Sequence, residues 1–196
     1  MILESLEKRR SCYVLTAKST LSDAQLKELV ETAVKHAPSS FNSQSTRAVL
    51  LLGPAHHALW NITCETLRAI VPADKFAPTE EKINSFAAGY GTILYFEDWT
   101  AVEALQAQFP AYKDNFPTWA YQANAMAEFI IWTALAEAGM GASLQHYNPL
   151  IDEAVKKHFN LPAAWKLVAQ MPFGVATAPA GEKSFLPLTE RVLVKQ

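Results

Sequence analysis

Leu26, Leu29, Val30, Ala33, Val34 and Ala37 fall on one helical face, and Ser22 with Gln25 ahead of them forms a capping box, so the spacing predicts a helix that Pro38 ends. Ile2, Leu3 and Leu6 share a face in the same way and predict a short first helix that delivers Arg9-Arg10-Ser11 to its end. Residues 38–47 are polar and read as a loop, and the apolar run 48–52 that follows reads as a buried strand. A helix is predicted from Pro54 through Leu59, Trp60, Ile62, Thr63, Leu67, Ile70 and Val71 to Pro72, and a shorter one from Thr79 to near Gly89. Gly91 opens a second strand over 92–97, and Thr100 with Glu103 reads as another capping box. The longest helical pattern, 117–140, is apolar on nearly every face and predicts a buried central helix. Beyond it come a strand at 142–146, a helix from about Pro149 to His158, a strand at 166–175, a Pro/Gly/Ala turn and an extended tail at 186–194.

Helices and strands mix without strict alternation and without an internal repeat, which points to an α+β fold in a single domain over residues 1–196. The tail has no pairing partner nearby in sequence, so a contact with another subunit is expected. With 196 residues, 50% of them hydrophobic, the chain can bury a full core. Cys12 and Cys64 are too few for a disulfide framework and form no zinc signature, which fits a reducing, cytoplasmic setting. A net charge of −2 offers no field for a nucleic acid, although Lys8-Arg9-Arg10 can hold a single phosphate. The most apolar stretch, Phe129 to Ala142, is too short for a bilayer and contains Glu137, so neither membrane insertion nor export is expected.

Self-contained catalytic motifs are missing. Gly139-Met-Gly141 lacks the third glycine of a dinucleotide fingerprint, and Gly181-Glu-Lys-Ser places a glutamate inside what would be a phosphate loop. His56 and His57 lack partners at ligand spacing and read as an exposed helix start; His36 and His158, near helix ends, read the same way. Three polar clusters at element boundaries remain: Arg9-Arg10-Ser11, the loop from Pro38 to Arg47, and Gln145-His146.

Arg9-Arg10-Ser11 after a first helix, Pro38-Ser39-Ser40-x-Asn42-Ser43-Gln44 before a strand, Gly139-x-Gly141-Ala142-Ser143, and Lys183-x-x-x-Pro187-Leu188 near the end resemble the FMN-dependent nitroreductase family over nearly the whole chain. Gly89-Tyr-Gly-Thr, Phe96-Glu97-Asp98 and the run from Gly141 to Pro149 are similar to its short branch, the fatty-acid-repression-mutant-type nitroreductases of fungi and bacteria. The resemblance implies a mixed central sheet flanked by helices and an intertwined homodimer with FMN at the subunit interface, the C-terminal extension reaching the partner. FMN needs a cationic end for its phosphate, carboxamides and hydroxyls along its chain, and backbone donors at its ring.

By that resemblance Arg9, Arg10 and Ser11 take the phosphate and ribityl end, with Lys183 adding a cation. Pro38, Ser39, Ser40, Asn42 and Gln44 line ribityl and ring from the neighbouring subunit, and Gln145 and His146 lie near the reactive edge. Each has a plainer reading: a solvated helix end for the arginines, a helix stop with an Asx-type turn for the loop, and a buried, hydrogen-bonded side chain for His146. Phe41, Trp99, Phe109, Tyr112, Phe116 and Trp119 are candidates for a wall over the ring or for core packing. Tyr13 and Phe185 stand where many relatives carry basic residues. The implied activity is ping-pong reduction of nitroaromatics, quinones or similar small aromatic acceptors by NADH or NADPH, with no obligatory side-chain acid or base. A flavin-binding regulatory or storage protein with little turnover, and a flavin-free interaction domain, are the other readings.

Overall fold

The computed structural model describes residues 2–196. Its ordered elements are α1 (Ile2–Lys8), β1 (Leu15–Thr16), α2 (Asp23–His36), β2 (Thr46–Leu52), α3 (Pro54–Arg68), α4 (Ala77–Ala87), β3 (Gly91–Asp98), α5 (Trp99–Gln108), α6 (Phe116–Glu137), β4 (Gly141–Ala142), α7 (Asp152–His158) and β5 (Trp165–Ala176). The strands lie in the order β1-β5-β3-β2, with β4 also against β5. Every ladder is antiparallel, and a parallel bridge between Ser11 and Ala142 makes the sheet mixed.

β3 explains the layering. Its residues 91–97 are all buried because helices cover both faces of the sheet. Ile93 and Tyr95 pack with Leu26 and Val30 of α2 and with Ile131 and Leu135 of α6. Leu94 and Phe96 point the other way, toward Leu59 and Trp60 of α3, Phe86 of α4 and Val155 of α7. Burying each of these side chains contributes roughly 1.5–3 kcal/mol.

Several sequence expectations need correction. The capping box Ser22/Gln25 forms, but Thr100/Glu103 does not: α5 starts two residues earlier, with Asp98 as its N-cap accepting from the Thr100 N–H at 3.1 Å. The strand expected at 142–146 is a two-residue β4 plus a bridge from Gln145 to Gln170, and α7 starts at Asp152 rather than near Pro149. β2 begins at Thr46, inside the segment read as loop, and the short β1 carries no sequence signal. The tail is exposed but contains a helical turn at Leu188–Glu190. His56 is buried, not an exposed helix start, while His57 is exposed.

The near-miss glycines have packing roles. Gly139 ends α6 at φ +79°, the left-handed conformation that glycine adopts without a Cβ penalty. A Cβ on Gly141 would sit 2.7 Å from that of Cys12, so glycine lets β4 lie beside the chain leaving α1.

Candidate functional site

α1 ends where Arg9, Arg10 and Ser11 turn toward β4, and the bridge from Ser11 to Ala142 fixes that turn, with the Cys12 N–H donating to the Ala142 carbonyl at 2.9 Å. The Arg10 guanidinium donates to the carbonyl of Gly181, which brings the C-terminal segment alongside. Arg9, Arg10, Ser11, Tyr13, Gly181, Glu182 and Lys183 thereby line one cavity of about 310 Å³. Among the described residues none of its three cations forms an ion pair with a carboxylate. The Arg9 guanidinium lies 4.4 Å from the Trp132 ring, and its Nε is buried without a hydrogen-bond partner. Three cations in excess of the one carboxylate, Glu182, with a free Arg9 Nε–H beside a hydroxyl, suit a phosphate monoester, so the residues present fit the phosphate end of FMN.

The third cluster lies beside the first, because Gln145 is three residues beyond Ala142. Gln145 is buried, exchanges backbone hydrogen bonds of 2.8 and 2.9 Å with Gln170, and donates its amide to Ser143 Oγ at 3.0 Å. Ser143 and Gln145 thus give their N–H groups to β5, and by antiparallel alternation those of Leu144 and His146 face away from it. His146 itself is exposed, which removes its buried alternative.

The loop between α2 and β2 lies elsewhere on this chain. Pro38, Ser39 and Gln44 line a cavity of about 450 Å³ with Arg47, Thr46 and residues of α2, and it shares no lining residue with the cationic one. Ser40 faces Phe116 and Trp119 instead, and Asn42 is exposed. Phe41, Asn42 and Gln44 all adopt positive φ, between 48° and 57°. Such backbone costs about 1–2 kcal/mol per non-glycine residue, so the loop is held rather than relaxed. Ser39 Oγ accepts from the Gln44 N–H at 3.1 Å, and the Phe41 ring sits among those of Phe109, Phe116 and Trp119 at centroid distances of 4.7, 5.3 and 6.1 Å. Of the proposed wall aromatics only Phe116 is fully buried.

Behind the loop lies a polar seam absent from the sequence expectations. Glu97 Oε1 accepts from Thr46 Oγ1 and from Asn124 Nδ2, each at 2.8 Å. One turn further along α6, Glu128 is nearly buried, and burial together with the Glu97 charge raises its carboxyl to about 7. Asp98 pairs with Arg47 at 2.9 Å, and Arg47 also donates to the carbonyls of Gln44 at 2.6 Å and Thr46 at 3.1 Å. The sequence clue was the position of Glu97-Asp98 at the end of an apolar run, where side chains emerge toward the adjoining loop.

The chain thus folds as a three-layer α+β scaffold with a cationic cleft at one sheet edge and a strained amide-bearing loop at another. Residues 6–175 match the model of the Nitroreductase family, and the chain belongs to that family. Nitroreductase CinD from Lactococcus lactis, solved in complex with chloramphenicol, is 44% identical over 100% of both chains with a TM-score of 0.92; it has also been solved with nicotinic acid and with 4-nitrophenol. Nitroreductase FRM2 of Saccharomyces cerevisiae (strain ATCC 204508 / S288c) is 33% identical over 186 residues, 94% of this chain and 92% of its own. A nitroreductase structure from Saccharomyces cerevisiae is 31% identical, with coverage of 88% and 94% and a TM-score of 0.77. Among the described residues no helix is long and apolar enough to cross a membrane, and no cluster of side chains could hold a metal ion.

Proposed function

We propose that the protein is an FMN-dependent, NAD(P)H-linked oxidoreductase of the short fatty-acid-repression-mutant-like branch, acting as a homodimer on nitroaromatic, quinone or similar flat acceptors by a ping-pong cycle. The observation that carries this reading is the convergence of Arg9, Arg10, Ser11 and Lys183, from distant parts of the chain, on one cavity where, among the described residues, none of the three cations is ion-paired. These four would hold the FMN phosphate through charge-assisted bonds. The free N–H groups at 144 and 146 would meet the ring edge. FMN, when bound, supplies electron exchange between a reduced nicotinamide and an aromatic acceptor. The chain's own part is to hold the ring, exclude water with aromatic walls and supply fixed dipoles.

The loop residues Pro38, Ser39, Ser40, Asn42 and Gln44 would serve the site of the other protomer, which accounts for their separate cavity. CinD binds two nitroaromatics and a pyridine carboxylic acid, ligands of the acceptor and donor classes assigned here. Purified protein is expected to be yellow, to bleach with NADH or NADPH without oxygen and to regain colour with a nitroarene. Protein left colourless by FMN overturns the flavin reading, and bleaching by dithionite alone replaces the enzyme with a flavin-binding regulator.

A further inference from the structure

We propose that the Arg47–Asp98 ion pair is the positioning clamp that holds the 38–44 loop in its flavin-binding shape, an assignment that rests on the FMN reading above. Phe41, Asn42 and Gln44 sit in left-handed backbone that a free chain would leave; bonds within the loop, such as Gln44 N–H to Ser39 Oγ, oppose this locally, and contacts from outside the loop hold both of its ends. At one end the hold is apolar, the Phe41 ring among Phe109, Phe116 and Trp119. At the other it is the planar fork of Arg47, which gathers the Gln44 carbonyl, the Thr46 carbonyl and Asp98 Oδ2.

Asp98 divides its carboxylate between two tasks. Oδ2 takes Arg47, while Oδ1 takes the Thr100 N–H and so caps α5. Its own N–H donates to the Ser45 carbonyl at 2.9 Å. One residue therefore ties the loop to the start of α5, the helix that leads to Phe109 and Tyr112. The spacing between the amide-bearing loop and the aromatic wall is set at Asp98. The ion pair is half-buried, with side-chain exposures of 33% for Arg47 and 18% for Asp98, so solvent screens it only in part.

Because the two oxygens act separately, substitutions separate the roles. Asp98→Asn keeps a cap for α5 and removes the charge facing Arg47; Arg47→Lys keeps a charge and loses the fork. Asp98→Ala loses both. The proteins are stripped of flavin, melted, titrated with FMN and followed by hydrogen exchange over residues 39–46. Asp98→Asn and Arg47→Lys are expected to melt within about 2 °C of wild type, exchange the loop amides faster and bind FMN about tenfold more weakly. Asp98→Ala also melts lower. Wild-type uptake of FMN matched by both variants, or loop exchange unchanged in both, overturns the clamp alone. Wild-type protein that takes up no FMN overturns the flavin reading and the clamp's role with it.

Discussion

Arg9 and Lys183 are 174 residues apart in sequence and line the same cavity, and among the described residues neither forms an ion pair. If they hold a phosphate, each contributes a charge-assisted bond worth about 1.5–3 kcal/mol, so Arg9→Ala and Lys183→Ala should each weaken FMN by roughly 10- to 150-fold in a fluorescence titration. Arg9→Lys should fall between, since it keeps the charge but loses the planar contact with Trp132. Unchanged affinity in both alanine variants would remove the phosphate assignment. Arg9-Arg10-Ser11 stood out in the sequence as cations beside a hydroxyl at a helix end, a local pattern, whereas Lys183, so far along the chain, was reached only through the family resemblance. The roles of Glu97, Asn124 and Asp98 were not readable there, because they depend on which strand α6 crosses and which loop β3 meets. Thr100 misled for a related reason: Ser/Thr-x-x-Glu is a valid capping signal, but the sheet register places Asp98 at the cap first.

Two buried titratable groups act in opposite directions on helices that cover opposite faces of the sheet. On α3, the His56 ring donates from Nε2 to the Ala87 carbonyl at 3.1 Å and shares a 2.8 Å hydrogen bond between Nδ1 and the Thr92 hydroxyl, which also accepts the Trp60 N–H at 3.0 Å. Burial favours the neutral imidazole and lowers its pKa from 6.5 to about 4. The unfolded chain therefore binds the proton first, and this stabilisation is lost as pH falls from 6.5 toward 4. Glu128 on α6 has the opposite sign: the unfolded chain releases its proton near 4.5 and the folded one near 7, so stability declines as pH rises through that window. Glu128→Gln should remove that decline and stabilise the protein above pH 7 by on the order of 2 kcal/mol, read from urea midpoints across pH. A variant whose midpoint falls equally at pH 5 and pH 8 would show that Glu128 is needed as a hydrogen-bonding group, not as a suppressed charge. At this scale sequence did well where one periodicity dominates: α2, α3, α6, β3 and β5 are all found within a few residues. It failed for β1, β4 and the start of α7, which are short and held by pairing or turns rather than by an apolar stripe.

The whole chain is too large in surface for its mass. It exposes 11525 Å², whereas a compact monomer of 21.7 kDa is expected to expose about 9,200 Å². The excess, about 2,300 Å², is of the size buried in permanent subunit contacts. Two exposed apolar surfaces stand out. Tyr121, Met126, Phe129 and Ile130 leave an apolar stripe of α6 open, and the tail exposes Phe185, Leu186, Leu188, Val192, Leu193 and Val194. β2, meanwhile, ends the sheet with an unpaired edge beside the cavity lined by Pro38, Ser39 and Gln44. A second copy that covers the stripe and receives the tail would remove all three liabilities and bring the 38–44 loop of one protomer to the cationic cavity of the other. The substitution Met126→Glu tests this, because Met126 is 39% exposed and a charge there costs little within one chain. In light scattering the wild type should weigh twice 21.7 kDa and Met126→Glu should shift toward 21.7 kDa. The same variant should lose FMN in proportion to its loss of dimer and regain it at higher protein concentration, as mass action requires when the ligand bridges two chains. A monomeric wild type that holds FMN as tightly as the assembled protein would place both halves of the site on a single chain, against the separation of the two cavities.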